Sequence, residues 1–329
     1  MGALNLLDRF MDDYEGGHPV EYALPIVPGS RKAKEIDRIM GGVGRHLRRK
    51  GKESESAIRR NLRRNGFDES DFETVKRDYQ RFLRENADAD DNYSMMIDAG
   101  ALNDVMSGDG RFKNQFETGT SRGWLAQDVR ASSSKDKFGT RFKERILDDA
   151  YEDGAGNILL KNVPKSLVDS EKFGYAPLYS GYTPKAYGEY RVDFSPENMR
   201  GRTSITLDDS LDLGEYSALL GDESTWGSLV GNKTFIDEGN YGLGRYGVNL
   251  YDYAVERLNR EAYGSGNRYP VYNELQFHGP LDLGDVDRVY MANGMGADDI
   301  PDQWKMQAEI NHFDIVDKDG NTLYKWGNK

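Results

Sequence analysis

Glu274 and Gln276 stand two residues apart in NRYPVYNELQFHGPLDLGDV, residues 267–286, with Leu275 and Phe277 alternating against them. On an extended backbone that spacing puts both polar side chains on one face and both apolar ones on the other. A carboxylate on a rigid strand can accept hydrogen bonds from ribose hydroxyls. It can also stabilise the oxocarbenium-like charge that grows as a leaving group departs from an anomeric carbon. Nicotinamide is a good leaving group, so glycosyl transfer from NAD asks for such a carboxylate and no metal. The same residues also fit an exposed glutamate on an edge strand.

Two more segments carry matching chemistry. In DGRFKNQFETGTSRG, residues 109–123, a fixed cation, Arg111, precedes a turn rich in small residues. A guanidinium gives a diphosphate paired, charged hydrogen bonds, and backbone N–H groups add more. Gly119 and Gly123 allow a ligand close to the chain, and Thr120 and Ser121 offer hydroxyls for a ribose or amide. A strand followed by a helix capped by Thr120 or Ser121 reads equally well. RTSITLDD, residues 202–209, follows a strand that carries its own arginine, Arg191. It alternates Thr203, Ile205 and Leu207 with Ser204 and Thr206, a strand with small hydroxyls on one face. Such hydroxyls suit a carboxylate or a ribose; a half-exposed strand needs no further role for them.

Other chemistries find less. His18, His46, His278 and His312 are dispersed, without HExxH or paired metal spacing. His278 falls on the face of Gln276, where it either lines a cleft or is a buried, hydrogen-bonded residue. GxxxxGK[ST] is absent, and DKDG near the C-terminus reads as a turn without the other ligands of a calcium loop. With Cys 0 there are neither disulfides nor thiolate sites.

The order arginine, hydroxyl-bearing strand, strand glutamate resembles that of the mono-ADP-ribosyltransferase superfamily. DGRFKNQFETGTSRG, YGEYRVDFSPENMRGRTSITLDDS and NELQFHGPLDL are similar to a bacterial family of such toxins and effectors, over roughly residues 95–290. That family in turn is similar to effectors that ADP-ribosylate ubiquitin on threonine. The resemblance implies that Arg111 holds the NAD phosphates or ribose and that Glu274 is the catalytic carboxylate. It implies that Gln115, Gly119, Thr120 and Ser121 border the cofactor, that Phe142 stacks on nicotinamide, and that Ser204 and Gln276 belong to the NAD site. It implies no metal, and an acceptor macromolecule, most naturally a protein, with ubiquitin suggested by resemblance alone. Tyr272 stands where the superfamily carries the residue that helps select arginine, so arginine as acceptor is not implied. The hydroxyl strand reads Thr203-Ser204-Ile205-Thr206 where the superfamily has Ser-Thr-Ser. NAD hydrolysis with water as acceptor uses the same residues. A nucleic-acid-binding or phage-related structural protein is the non-enzymatic alternative.

These segments need a frame. At 329 residues, with Tyr 20, Phe 13 and Trp 4, the chain can bury a substantial core although only 37% is hydrophobic. Net charge is −12, which argues against general nucleic-acid binding, but its distribution is uneven. Arg31 to Arg64 holds thirteen Lys/Arg against Glu35, Asp37, Glu53 and Glu55, a net of +9 that leaves −21 on the remainder. Residues 30–86 read as helical, with Ser70-Asp71-Phe72-Glu73 as a capping box and Phe72, Val75, Tyr79, Phe82 and Leu83 on one face. The basic face reads as a contact for an acidic partner, RNA or a membrane surface, or as a solvated face. ENADADDNYS, residues 85–94, reads as a linker.

Beyond it, YGEYRVDFS, RTSITL and VYNELQFHG read as strands, and FDIVDKDGNTLYKW as a hairpin around Asp-Gly. KDKFGTRFKERILDDAYE and LYDYAVERLNREAYG read as helices. The expectation is an α+β chain: a basic, mainly helical region at 1–90, then at 91–329 an ADP-ribosyltransferase-like split β-sheet core with peripheral helices. No apolar run is long enough to cross a membrane, and MGALNLLDRFMDDYEGG fits neither a secretory signal nor a myristoylation site. The expected location is cytoplasmic as synthesised, with any delivery to a target cell by a route lacking a standard signal.

Overall fold

The computed structural model describes residues 28–64, 68–114, 117, 150–152, 158–160, 171–177, 184–207, 217–230 and 273–327. Two helices open the described chain: α1, Arg31–Arg64, and α2, Glu69–Asp88. Ser30 starts α1 by accepting the Ala33 N–H on its hydroxyl at 3.1 Å. The start of α2 differs from the expected capping box. Asp68 accepts the Ser70 N–H at 2.7 Å from the position before the helix, so Ser70 lies inside the first turn. Asp68 thus satisfies the Ser70 amide, which the expected capping box would have left to the Glu73 side chain. Phe72, Tyr79, Phe82 and Leu83 are buried on one face, as their spacing predicts.

Residues 85–94 are not a linker. Glu85–Asp88 complete α2, and the rest is a packed corner. Asn92 donates to the Asn86 carbonyl at 2.9 Å, Asn86 to the Phe82 carbonyl at 2.8 Å, and Tyr93 to the Ala87 carbonyl at 2.9 Å. Side-chain amides that satisfy buried carbonyls make a rigid bend out of a polar sequence.

The α+β expectation holds. The strands are β1 Ser94–Ile97, β2 Ala150–Glu152, β3 Ile158–Leu160, β4 Lys172–Tyr175, β5 Tyr190–Phe194, β6 Thr203–Leu207, β7 Ser217–Leu219, β8 Asn273–Phe277, β9 Val286–Tyr290, β10 Asp314–Val316 and β11 Thr322–Tyr324. Helices α3, Ala99–Ser107, α4, Pro196–Met199, and α5, Asp302–Asn311, lie between them. Nine strands order as β11-β10-β9-β5-β1-β4-β8-β6-β7, with β9 and β10 parallel and the other described neighbours antiparallel. The Asp-Gly hairpin forms as read, in β10 and β11. Ala150–Glu152, expected at the end of a helix, is instead a strand paired with β3. The sequence between them, DGAGN, has the residues of a hairpin turn. The rest of that predicted helix, and LYDYAVERLNREAYG, lie outside the described residues.

The sheet has one weak seam. β1 and β4 share a single paired position, Ser94 with Tyr175, whereas β1 and β5 match at four. Five strands thus lie on one side of the seam and four on the other. Gly174 permits the pinch: a Cβ there would stand 2.3 Å from the Ser94 carbonyl oxygen and 2.5 Å from the Phe277 ring.

Helices α1 and α2 share the sheet's hydrophobic cluster. Trp226, in the 3-10 segment Glu223–Val230, packs on Phe72 and Tyr79 with ring centroids 5.8 and 6.1 Å away and donates to Glu55 of α1 at 2.8 Å. α1 passes this segment at glycine distance, since a Cβ on Gly227 would lie 2.5 Å from the Gly51 carbonyl oxygen. None of the described helices is long and apolar enough to cross a membrane.

Candidate functional site

The seam between β1 and β4 opens into a cleft of about 710 Å³. Met96, Phe173, Tyr175, Arg111, Glu117 and Glu274 are among the residues that line it. Arg111 and Glu274, distant from each other along the chain, therefore face one space.

Backbone pairing explains how they meet. The Phe112 N–H donates to the Leu281 carbonyl and the Leu283 N–H to the Gly110 carbonyl, both at 2.9 Å, with Arg111 bridged to Asp282. The arginine segment is thus zipped onto the stretch just after Glu274's strand. The intervening turn is held by cations. Arg202, 1% exposed, donates to the carbonyls of His278, at 3.4 Å, and Pro280, and Lys172 donates to the Gly279 carbonyl at 3.2 Å. Arg202 also lies 2.8 Å from the buried Asp285 carboxylate, and Lys32 of α1 reaches Asp282 at 2.8 Å and Asp285 at 2.9 Å. Burial pushes the Asp282 carboxyl up from the usual carboxylate range and the nearby Asp285 charge adds to this, while Lys32 pulls it back.

Glu274 sits on β8 opposite Tyr175 of β4 and Thr206 of β6; Gln276 sits opposite Phe173 and Ser204. All five residues of β8 are buried. The edge-strand reading therefore fails: β8 is flanked by β4 and β6. The polar face carries a directed chain of hydrogen bonds. Ser204 Oγ donates to Gln276 Oε1 at 2.8 Å and lies 2.9 Å from His278 Nε2. Since the one hydroxyl proton goes to Gln276, the histidine must donate to Ser204 from Nε2. Gln276 Nε2 then donates to Thr206 Oγ1 at 3.0 Å and to Glu274 Oε1 at 3.2 Å. The chain thus reaches the Glu274 carboxyl group, which accepts on Oε1.

Arg111 has a half-exposed side chain and donates from Nη2 to Glu117 Oε1 at 3.0 Å. The Asn114 N–H donates to Glu117 Oε2 at 3.1 Å, so this carboxylate fixes both the loop and the guanidinium. Ser204, Gln276 and His278 are buried behind Glu274 and do not line the cleft. His278 takes the buried, hydrogen-bonded alternative. Arg191 is turned away from the cleft: its Nε and Nη2 donate to Asp193 at 2.6 and 2.7 Å, and its guanidinium covers Tyr290 at 4.6 Å. Gln115, Gly119, Thr120, Ser121 and Phe142 lie outside the described residues.

Sequence reasoning missed Phe173, Tyr175, Glu117 and Arg202. The alternation in KFGY, an aromatic on either side of Gly174, was the available signal for the first two. Nothing local marks Arg202 as different from its neighbour Arg200. Among the described residues no group of acidic or histidine side chains could hold a metal ion. No family model matches the chain, and no curated protein matches it.

Proposed function

We propose that the chain transfers ADP-ribose from NAD to a side chain of another macromolecule, with an ADP-ribosyltransferase-like core built on the split sheet. One observation carries the reading: Arg111 and the strand carboxylate Glu274 line the same cleft, at the seam where β1 and β4 part. The aromatic wall of Phe173 and Tyr175 suits a flat nicotinamide or adenine ring. The exposed guanidinium of Arg111 suits the diphosphate.

In the reaction the bond between nicotinamide nitrogen and ribose C1′ breaks, and its electron pair leaves with nicotinamide. Glu274 stabilises the oxocarbenium-like charge left on the ribose, held in place by Gln276. The acceptor's nucleophilic atom then bonds to C1′ and gives its proton to water.

The test is labelled NAD incubated with the purified protein, with and without bacterial or eukaryotic lysate, beside Glu274→Ala. The expected result is a labelled band that falls at least about a hundredfold in the variant. Arg111→Ala should weaken NAD binding about tenfold or more, consistent with loss of a charged, paired contact. Nicotinamide release without a band would convert the reading to NAD hydrolysis. NAD left intact in every sample would remove it.

A further inference from the structure

Helix α1 carries a row of cations that neither the core nor the cleft uses. Arg31, Lys34, Arg45, Arg49, Lys52 and Arg60 are all exposed. None of the six makes an ion pair among the described residues, whereas Lys32, Arg48 and Arg59 pair with Asp282, Asp222 and the Glu69–Glu73 pair. At about 100° per residue the six fall within an arc of roughly 80°, and at 1.5 Å per residue they run along about 44 Å of axis. The acidic residues Glu35, Asp37 and Glu53 fall outside that arc.

The partner's chemistry follows from what surrounds the row. Ala33, Ile36, Leu47 and Ile58 are buried and Ile39, Met40, Val43 and Ala57 half-buried, so none of the helix's described bulky apolar side chains stands exposed to enter a lipid surface. The two exposed large hydrophobic residues of the described chain, Tyr187 and Trp326, lie elsewhere, so the row offers unstacked bases no platform. What remains is a mainly arginine row on one face of a single helix, suited to paired hydrogen bonding with phosphate oxygens. A duplex supplies phosphates on a stiff rod, one per ~3.4 Å of axis on each strand. The −21 on the remainder of the chain repels a polyanion from other faces and orients it on this one.

We propose that this face of α1 binds the phosphodiester backbone of a duplex nucleic acid without reading its sequence. The proposal stands independently of NAD chemistry. Anisotropy of a labelled 24-base-pair duplex, titrated with the full-length protein between 50 and 200 mM salt, tests it. With six cations engaged, log K should fall against log salt with a slope of about −5, roughly a thousandfold loss over that range. Replacing all six with Gln should abolish binding while leaving the thermal transition in place. Should that variant not fold, the triple variants R31Q/K34Q/R45Q and R49Q/K52Q/R60Q should each lower the slope by about 3. A flat salt response, or a slope unchanged in folded variants, would overturn the proposal. Competition by poly-glutamate or by anionic phospholipid vesicles as effective as by unlabelled duplex would overturn it too.

Discussion

Gln276 sets the aim of Glu274, and an amide is a directional way to do it. One end is fixed by Ser204, so the other can only donate, to Thr206 and to the carboxylate. Gln276→Leu keeps the volume and removes the donor. Under the proposed reaction it should lower kcat for nicotinamide release about tenfold or more while leaving KM for NAD nearly unchanged, the mark of an interaction that matters most at the transition state. Ser204→Ala leaves the buried Gln276 oxygen without its donor and should cost about 1–3 kcal/mol in urea unfolding. At this scale the alternation of NELQF predicts that Glu274 and Gln276 share a face, and they do. Which polar atoms that face meets was not legible, because Ser204 and Thr206 come into register only through cross-strand pairing.

Among elements, the join between α1 and the turn before β9 rests on charge in a partly dry site. The Asp282 carboxyl is raised above its unfolded value near 3.8, first by burial and then by Asp285. A raised carboxyl favours folding in its protonated form. That contribution is complete below the unfolded value and fades as pH climbs through the folded one. Lys32→Met removes the cation that limits the shift and moves the folded value higher still. Its penalty should be small near pH 4 and about 1–3 kcal/mol at pH 7, measured by chemical denaturation at the two values. Gly227→Ala should also destabilise, because its Cβ would enter the backbone of α1. Helices α1 and α2, β5, β6, β8 and the last hairpin were legible from periodicity and turn residues, whereas α3 and α5 were not read. The corner at 85–94 was not, since buried asparagines satisfied by backbone look like a linker in composition. Nor was the start of α2, where Asp68 outcompetes Ser70.

For the whole molecule, residues 31–88 act as part of the sheet's own core. Ile58, Phe72, Tyr79, Phe82 and Leu83 belong to the cluster that contains Trp226, Ile205 and Phe277. A chain beginning at residue 91 would expose that cluster and lose the Lys32 ion pairs. It should show no cooperative thermal transition by circular dichroism, and an independently folding product of that length would refute this account. Sequence reading found the basic stretch through charge alone. Its packing against the acidic body was hidden, because burial depends on Trp226 and Gly227, which lie far along the chain from Gly51 and Glu55.

The zipping of Gly110–Phe112 onto Leu281–Leu283 sets a timetable for synthesis. Arg111 and Glu274 both depend on residues 273–283, so a nascent polypeptide cannot close the cleft before those residues have been made. Messages cut short before codon 283 yield products without a formed cleft.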